Sequence, residues 1–335
     1  MNASEYFRNW QASRAAFLRS STFEAETIYI TRHIAPYFEH KNLEDIRPAD
    51  IQAYVTDKLK SGRSDGKPGG LSQVSVKKHL SVIRHALRDA VIMGYINHSP
   101  AEYIRLPRRK SALTPRTVFL TADNAQRLLN VLEGSEIYPA VVLALYYGLR
   151  RSEVLGIKWD AVDFSAQTIE IRHTVVKNLT IEASDNTKTE NSRRTYRLTP
   201  ELKDLLASLR EDEGAGLGPG GYIFHRTDGS PMRPDTLTRS FQKALARAGL
   251  AKMRFHDLRH STASILFDQG WSLEDVKEWL GHTDIETTSN IYLHYTKQRR
   301  ILLSDNLNGL FKLNKKEGSG TSAPTPQKYK KPGKH

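Results

Sequence analysis

Apolar positions in the first hundred residues recur every three or four places. In LSQVSVKKHLSVIRHALRDAVIMGYI (71–96), Leu71, Val74, Leu80, Ile83, Leu87, Ala90 and Val91 keep that spacing, which predicts an amphipathic helix. TFEAETIYITRHIAPYF and RPADIQAYVTDKLK predict two shorter helices, the second with Pro48 suited to a first turn. Glycine and proline interrupt the pattern in SGRSDGKPGG (61–70), which reads as a loop. No internal repeat is visible.

Beyond this helical stretch the pattern lapses. RLPRRKSALTPRT (105–117) holds five basic residues, no acid and two prolines, and predicts an exposed linker. It is either a plain spacer or a basic strap for a phosphate backbone. Thr121 then looks like a helix cap with Asp123 in the first turn. YPAVVLALYYGLR (138–150) is apolar nearly all round and predicts a central helix. Next the period drops to two. TIEIRHTVV (168–176), LTIEAS (179–184) and RTYRL (194–198) predict a three-stranded antiparallel sheet. Thr199 and Pro200 open another helix, a Gly/Pro loop covers 214–221, and helices are expected at 234–248, 256–268 and 272–280. Ser272 with Asp275 resembles a capping box, and Gly281 a stop. The fold class expected is mainly α with a small antiparallel β-sheet. It comprises a helical domain over 1–104, the linker 105–117, a mixed α/β domain over 118–313, and a disordered basic tail over 314–335.

The chain's 335 residues suit about two domains. No apolar run approaches ~18 residues, so no membrane span is expected. MNASEYFRNW has no apolar signal region, so a cytoplasmic location is expected. Cysteine is absent, which removes disulfides and thiolate metal sites. The net charge of +13 favours a polyanionic partner, through counterion release. About half of that surplus sits after Phe311, where Lys312, Lys315, Lys316, Lys328, Lys330, Lys331 and Lys334 face only Glu317.

Candidate chemistry centres on FHDLRHSTAS (255–264), where a helix would place His256, Arg259 and His260 on one face. A metal site would need a third ligand. HDLRH also lacks the glutamate of HExxH, and Arg259 would repel a dication. An anion site and a satisfied polar patch remain open. GLRRSE (148–153) sets Arg150 just after a buried run, with Glu153 three residues on to orient it; a cation at a helix C-terminus is the plainer reading. Lys188 lies in DNTKTENSRR, a turn between strands, and His282 follows a helix end. Tyr292, in TTSNIYLHY, could be an ordinary helix tyrosine.

One chemistry would use all of them: attack of a tyrosine oxygen on a phosphodiester. Nearby cations would lower a phenol pKa from about 10. Two arginines would clamp the non-bridging oxygens, a hairpin lysine would protonate the departing sugar oxygen, and histidines would move protons. No metal or cofactor is required, because the guanidinium groups neutralise the charge.

GLRRSE, TKT…SRR, HDLRH and LGHTDIETTSNIY stand in the order of the tyrosine recombinase (phage integrase) family, which the second domain resembles. The first domain, with LSQVSVKKHL…ALRDAV…GYINHSPA, is similar to that family's core-binding domain. The resemblance implies a catalytic set of Arg150, Lys188, His256, Arg259, His282 and Tyr292, with Glu153 holding the first arginine and His260 in a supporting place. The spacing from His282 to Tyr292 is one residue longer than in many members, a form shared with integrases of Gram-positive phages and conjugative transposons. It leaves Tyr295 as a second candidate nucleophile.

The resemblance further implies site-specific recombination through a 3′-phosphotyrosine on double-stranded attachment sites. A homo-tetramer would act, with ILLSDNLNGLFKL (301–313) docking on a neighbouring protomer and a possible accessory directionality factor. Lys77, Lys78, Arg84, Arg108, Arg109 and Lys110 are the expected DNA contacts. Many members carry a further N-terminal arm-binding module; here the core-binding pattern begins almost at Met1, which implies simple sites or a shortened chain. A housekeeping recombinase that resolves chromosome dimers and a non-catalytic DNA-binding regulator are the alternatives.

Overall fold

In the computed structural model the described residues are 1–107, 119–177, 181–184, 193–213, 218 and 220–281. Those up to 281 belong to one compact unit, Met1–Thr283. Their buried apolar side chains form two clusters, one drawn from residues 3–104 and one from 120–258.

The first cluster is built by helices. α1 (Ala3–Ser13) starts where the Asn2 side chain accepts the Glu5 amide, and it buries Tyr6, Phe7 and Trp10. α2 (Ser20–Tyr29) runs without a break into a π-helical turn, Ile30–Ile34, and a short α3 (Ala35–Tyr37). α4 (Pro48–Ser61) begins on Pro48, and the Asp50 carboxylate accepts the Arg47 amide at 2.9 Å. α5 (Gln73–Ile92) buries Val76, Leu80, Ile83, Leu87 and Ala90, a stripe at helical spacing. Polar side chains lock α1 onto α5: the Tyr6 phenol donates to the Ala86 carbonyl at 2.6 Å, and the Trp10 indole to Asp89 at 2.8 Å.

A polar knot lies inside this bundle. The Tyr54 phenol and His79 Nδ1 share a 2.8 Å hydrogen bond, and His33, carried by the π-turn, lies with its ring 4.9 Å from that of His79. Burial, then the nearby charges of His33 and Lys58, lower the His79 pKa to about 4. Lys77 and Lys78 are exposed on α5. Arg84, exposed on the same helix, donates from its guanidinium to the Ala101 and Ile104 carbonyls at 3.2 and 2.8 Å, closing the end of the bundle.

The second cluster packs helices around small sheets. α6 (Ala122–Leu132) is capped by Thr121. α7 (Tyr138–Tyr147) is the apolar central helix, and α8 (Arg151–Gly156) follows it. The expectation of one helix over 138–150 is corrected here. Gly148 takes a left-handed conformation (φ +61°) that stops α7, and a Cβ at that position would strike the Leu280 side chain.

The strands are β1 (Val162–Asp163), β2 (Thr168–Ile171), β3 (Thr174–Lys177), β4 (Ile181–Ser184) and β5 (Arg194–Arg197). They form an antiparallel sheet of order β1-β2-β5 and a separate β3-β4 hairpin. The single sheet expected over 168–198 is therefore corrected. The run 168–176 breaks at Arg172 and His173. Gly156 comes so close to the His173 carbonyl that a side chain there would collide with it, so the backbone leaves the sheet to pass over α8. α9 (Pro200–Glu213), α10 (Pro234–Arg247), α11 (Asp257–Asp268) and α12 (Leu273–Leu280) complete the described fold. It is mainly helical with small antiparallel sheets, as expected. No described helix is long and apolar enough to cross a membrane.

His79 is neutral when folded but titrates at about 6.5 when unfolded, so between those values the unfolded chain binds more protons. Stability therefore falls as pH drops from about 6.5 towards 4. The melting temperature should decline across that window, and H79Q should flatten the decline while lowering the melting temperature at pH 7.5; circular dichroism melts at stepped pH check this.

Candidate active site

The site begins with the left-handed turn at Gly148. By ending α7 there, the chain places Leu149 in the core and Arg150 at the N-cap of α8. Glu153, in the first turn of α8, then folds back beneath it. One carboxylate oxygen accepts from the Arg150 guanidinium at 2.7 Å, the other from the Arg150 amide at 2.9 Å. The Arg150 side chain remains 33% exposed and that of Glu153 only 4%. The cation thus faces outward from a buried anchor.

A second arginine supports the same carboxylate. Arg194, on β5, reaches Glu153 with two guanidinium nitrogens at 2.8 and 3.3 Å. Burial alone would raise the Glu153 pKa, but Arg194 and then Arg150 outweigh it and hold the value at about 2. Arg194 Nε donates to the Tyr196 phenol at 2.6 Å, and that phenol donates to the Trp279 carbonyl near the end of α12. Tyr196 also stacks on Tyr147, with ring centroids 4.5 Å apart.

α11 supplies the other half. It is fastened to α7 where the Thr262 hydroxyl donates to the Leu145 carbonyl at 2.8 Å, and its start is fixed by Asp257, which binds Arg254. Arg259 is completely buried and donates to the Gly148 carbonyl at 2.7 Å. The glycine therefore both turns the chain and holds the second arginine. Burial, and next the like charge of Arg150, lower the Arg259 pKa to about 9. His256, just ahead of α11, is lowered to about 4, first by burial and then by His260, Arg259 and Arg150. His256 is therefore a neutral imidazole near pH 7.

The structure brings together Arg150, Glu153, His256 and Arg259. His260 is buried one turn beyond His256, its ring 5.1 Å away, with Nδ1 lacking a hydrogen-bond partner among the described residues. Lys188, His282, Tyr292 and Tyr295 lie outside the described residues, as do Arg108, Arg109, Lys110 and the 301–313 segment. Arg151, adjacent in the motif, points elsewhere, to the Thr238 hydroxyl at 2.8 Å. A cavity whose lining includes Pro139, Leu209, Phe224, Arg226 and Arg233 shares no residue with the cluster. The sequence reading gave no role to Arg194, Tyr196 or Trp279. SRR carries Arg194, but an alternating strand gives no sign of its role, and nothing in the sequence marks Tyr196 or Trp279.

Three guanidinium groups and one carboxylate leave an excess of positive charge against a neutral imidazole. An anion arriving there would reverse the local field and raise the pKa of both Arg259 and His256. The donors are planar forks, suited to a tetrahedral oxyanion.

This is a mainly helical protein with an arginine-rich cluster, and the comparisons give it a family. Residues 118–299 match the phage integrase family, and residues 4–59 match the phage integrase N-terminal SAM-like domain. The chain belongs to the phage integrase family.

An integrase of Streptomyces ambofaciens is 26% identical over 91% of this chain and 79% of its own length. A protein named tyrosine recombinase XerC from Xylella fastidiosa is 30% identical over 73% of this chain and 76% of its own. Among solved structures, the Tn1549 transposon integrase in complex with transposon right end DNA has a TM-score of 0.72 at 18% identity, covering 92% of this chain and all of that one.

Glu153→Gln would leave two guanidinium groups facing an amide in a buried place. Stability should fall by roughly 3 kcal/mol or more, read as a lower urea midpoint with unchanged slope.

Proposed function

We propose that the chain is a site-specific DNA recombinase that cuts and rejoins DNA through a 3′-phosphotyrosine, integrating or excising a mobile element. The observation that carries this is the convergence of Arg150, Arg259 and neutral His256 in one cluster, with Arg150 anchored by Glu153, in a member of this family.

In this reading Arg150 and Arg259 hold the two non-bridging oxygens of the scissile phosphate and stabilise the charge that builds on them. His256, neutral at working pH, accepts the proton of the Tyr292 phenol as its oxygen attacks phosphorus. The bond from phosphorus to the 5′-oxygen breaks, and Lys188 gives that oxygen its proton. His282 donates to a phosphate oxygen. The phosphotyrosine conserves the energy of the phosphodiester, so the 5′-hydroxyl of a partner duplex can reverse the step without ATP.

Lys77 and Lys78 on α5 and Arg108, Arg109 and Lys110 in the linker contact the duplex backbone, which positions the protein without specifying sequence. Four protomers act on two duplexes, with 301–313 docking between neighbours, in the cytoplasm on the nucleoid. A solved lambda integrase tetramer bound to a Holliday junction, with a TM-score of 0.65, supports that assembly.

Relatives named integrase favour the mobile-element reading, among them the ICEBs1 integrase of Bacillus subtilis at 23% identity. Relatives named XerC favour a second reading with the same chemistry, a housekeeping recombinase.

The test is a nicked suicide duplex carrying candidate attachment sequence. Wild-type protein should leave a covalent adduct on a denaturing gel, in chelator as well as in buffer. Y292F should leave none while binding DNA within a few-fold of wild type. An adduct retained by Y292F would move the nucleophile to Tyr295 or elsewhere; no adduct from wild type would defeat the reading.

A further inference from the structure

Arg194 is buried, yet it is not among the groups that would face a phosphate. Its side chain, 10% exposed, runs between two parts of the site. On one side it meets Glu153, whose two oxygens each take one donor from Arg150 and one from Arg194. On the other it meets the end of α12. There Arg194 Nε donates to the Tyr196 phenol, the phenol donates to the Trp279 carbonyl, and Gly281 passes so close that a Cβ would lie 3.2 Å from Arg194 Cδ. Gly281, left-handed at φ +64°, caps α12, and His282 is the next residue in the chain.

We propose that Arg194 is a positioning residue for strand cleavage, fixing the Arg150 guanidinium through Glu153 and anchoring, through Tyr196 and Gly281, the helix end from which His282 and Tyr292 follow. The inference rests on the recombinase reading and deepens it.

Physics favours a fork at this position over a generic cation. A lysine could supply charge, but it could not span both Glu153 oxygens and the phenol at once. Without Arg194, Glu153 loses two of its four donors and stays buried. Among the described residues, the remaining charged neighbours are Arg150 at the start of α8 and Arg259 on α11, with Tyr196 beside them on β5. Burial would then raise the Glu153 pKa, and a protonated Glu153 no longer orients Arg150. Loss of the fork therefore makes cleavage sensitive to mild acid.

The experiment compares wild type, R194K, R194M and Y196F as full chains. It measures the rate of covalent adduct formation on the suicide duplex from pH 5.5 to 8.5, affinity for the same duplex, and amide hydrogen exchange over 273–281. R194M should cleave about tenfold or more slowly, with affinity within about threefold. Its rate should fall off on the acid side more steeply and from a higher pH than wild type, in which His256 alone supplies an acid limb. R194K should regain part of the rate, and Y196F should cleave more slowly and speed exchange in α12 without the steeper acid limb.

Wild-type rate and profile in R194M would overturn the proposal. If R194M does not fold, R194K with a wild-type rate and profile, or Y196F with wild-type rate and exchange, overturns it. If wild type itself forms no adduct, the recombinase reading falls by itself. Exchange then decides the positioning role, with unchanged protection in R194M and Y196F counting against it.

Discussion

One buried carboxylate organises the described half of this site. Glu153 is almost without solvent, so its charge must be met inside the protein, and it is met four times over, by two arginines and a backbone amide. That demand fixes where α8 begins and which way Arg150 faces. It also fixes how β5 approaches. Take the carboxylate away and the remaining guanidinium groups repel one another in a poorly solvated space. The neighbouring Arg259, held by a glycine carbonyl, is part of the same arrangement. The cluster of like charges is therefore electrostatically tense by construction. Active centres commonly hold such tension where the ligand relieves it.

Much of the fold could be read from periodicity. The stripe on α5, the Pro48 start of α4, the Thr121 and Ser272 caps and the Gly281 stop each have a local cause, so short windows of sequence contain them. The misplaced features have non-local causes. The sheet divides because Gly156 lets the backbone at His173 come close, a contact between segments that no strand pattern records. The helix through 138–147 stops at Gly148 because of a left-handed turn inside an apolar run, where hydrophobicity alone argues for continuation.

The site divides in the same way. Arg150, Glu153, His256 and Arg259 were legible because residue chemistry and family motifs point to them together. Arg194 and Tyr196 were not, because an arginine and a tyrosine in an alternating strand look like ordinary sheet residues. Only the register of β5 against β2, with Tyr196 opposite Ile169, shows that the phenol faces inward. Arg84 adds a contact that a basic helix face does not announce: its guanidinium satisfies two carbonyls at the end of the bundle.

The approach of Leu280 to Gly148 constrains how this chain can evolve. Residues 132 positions apart share one small volume, with the Thr262 methyl 3.6 Å from the place a new Cβ would occupy. An alanine at 148 is barred twice, by sterics and by a backbone angle that L-residues avoid. Trimming Leu280 first would clear the space and leave a void, but it would not relax the angle. Either order of the two changes therefore meets a cost, so drift should leave Gly148 fixed while the surrounding surface diverges.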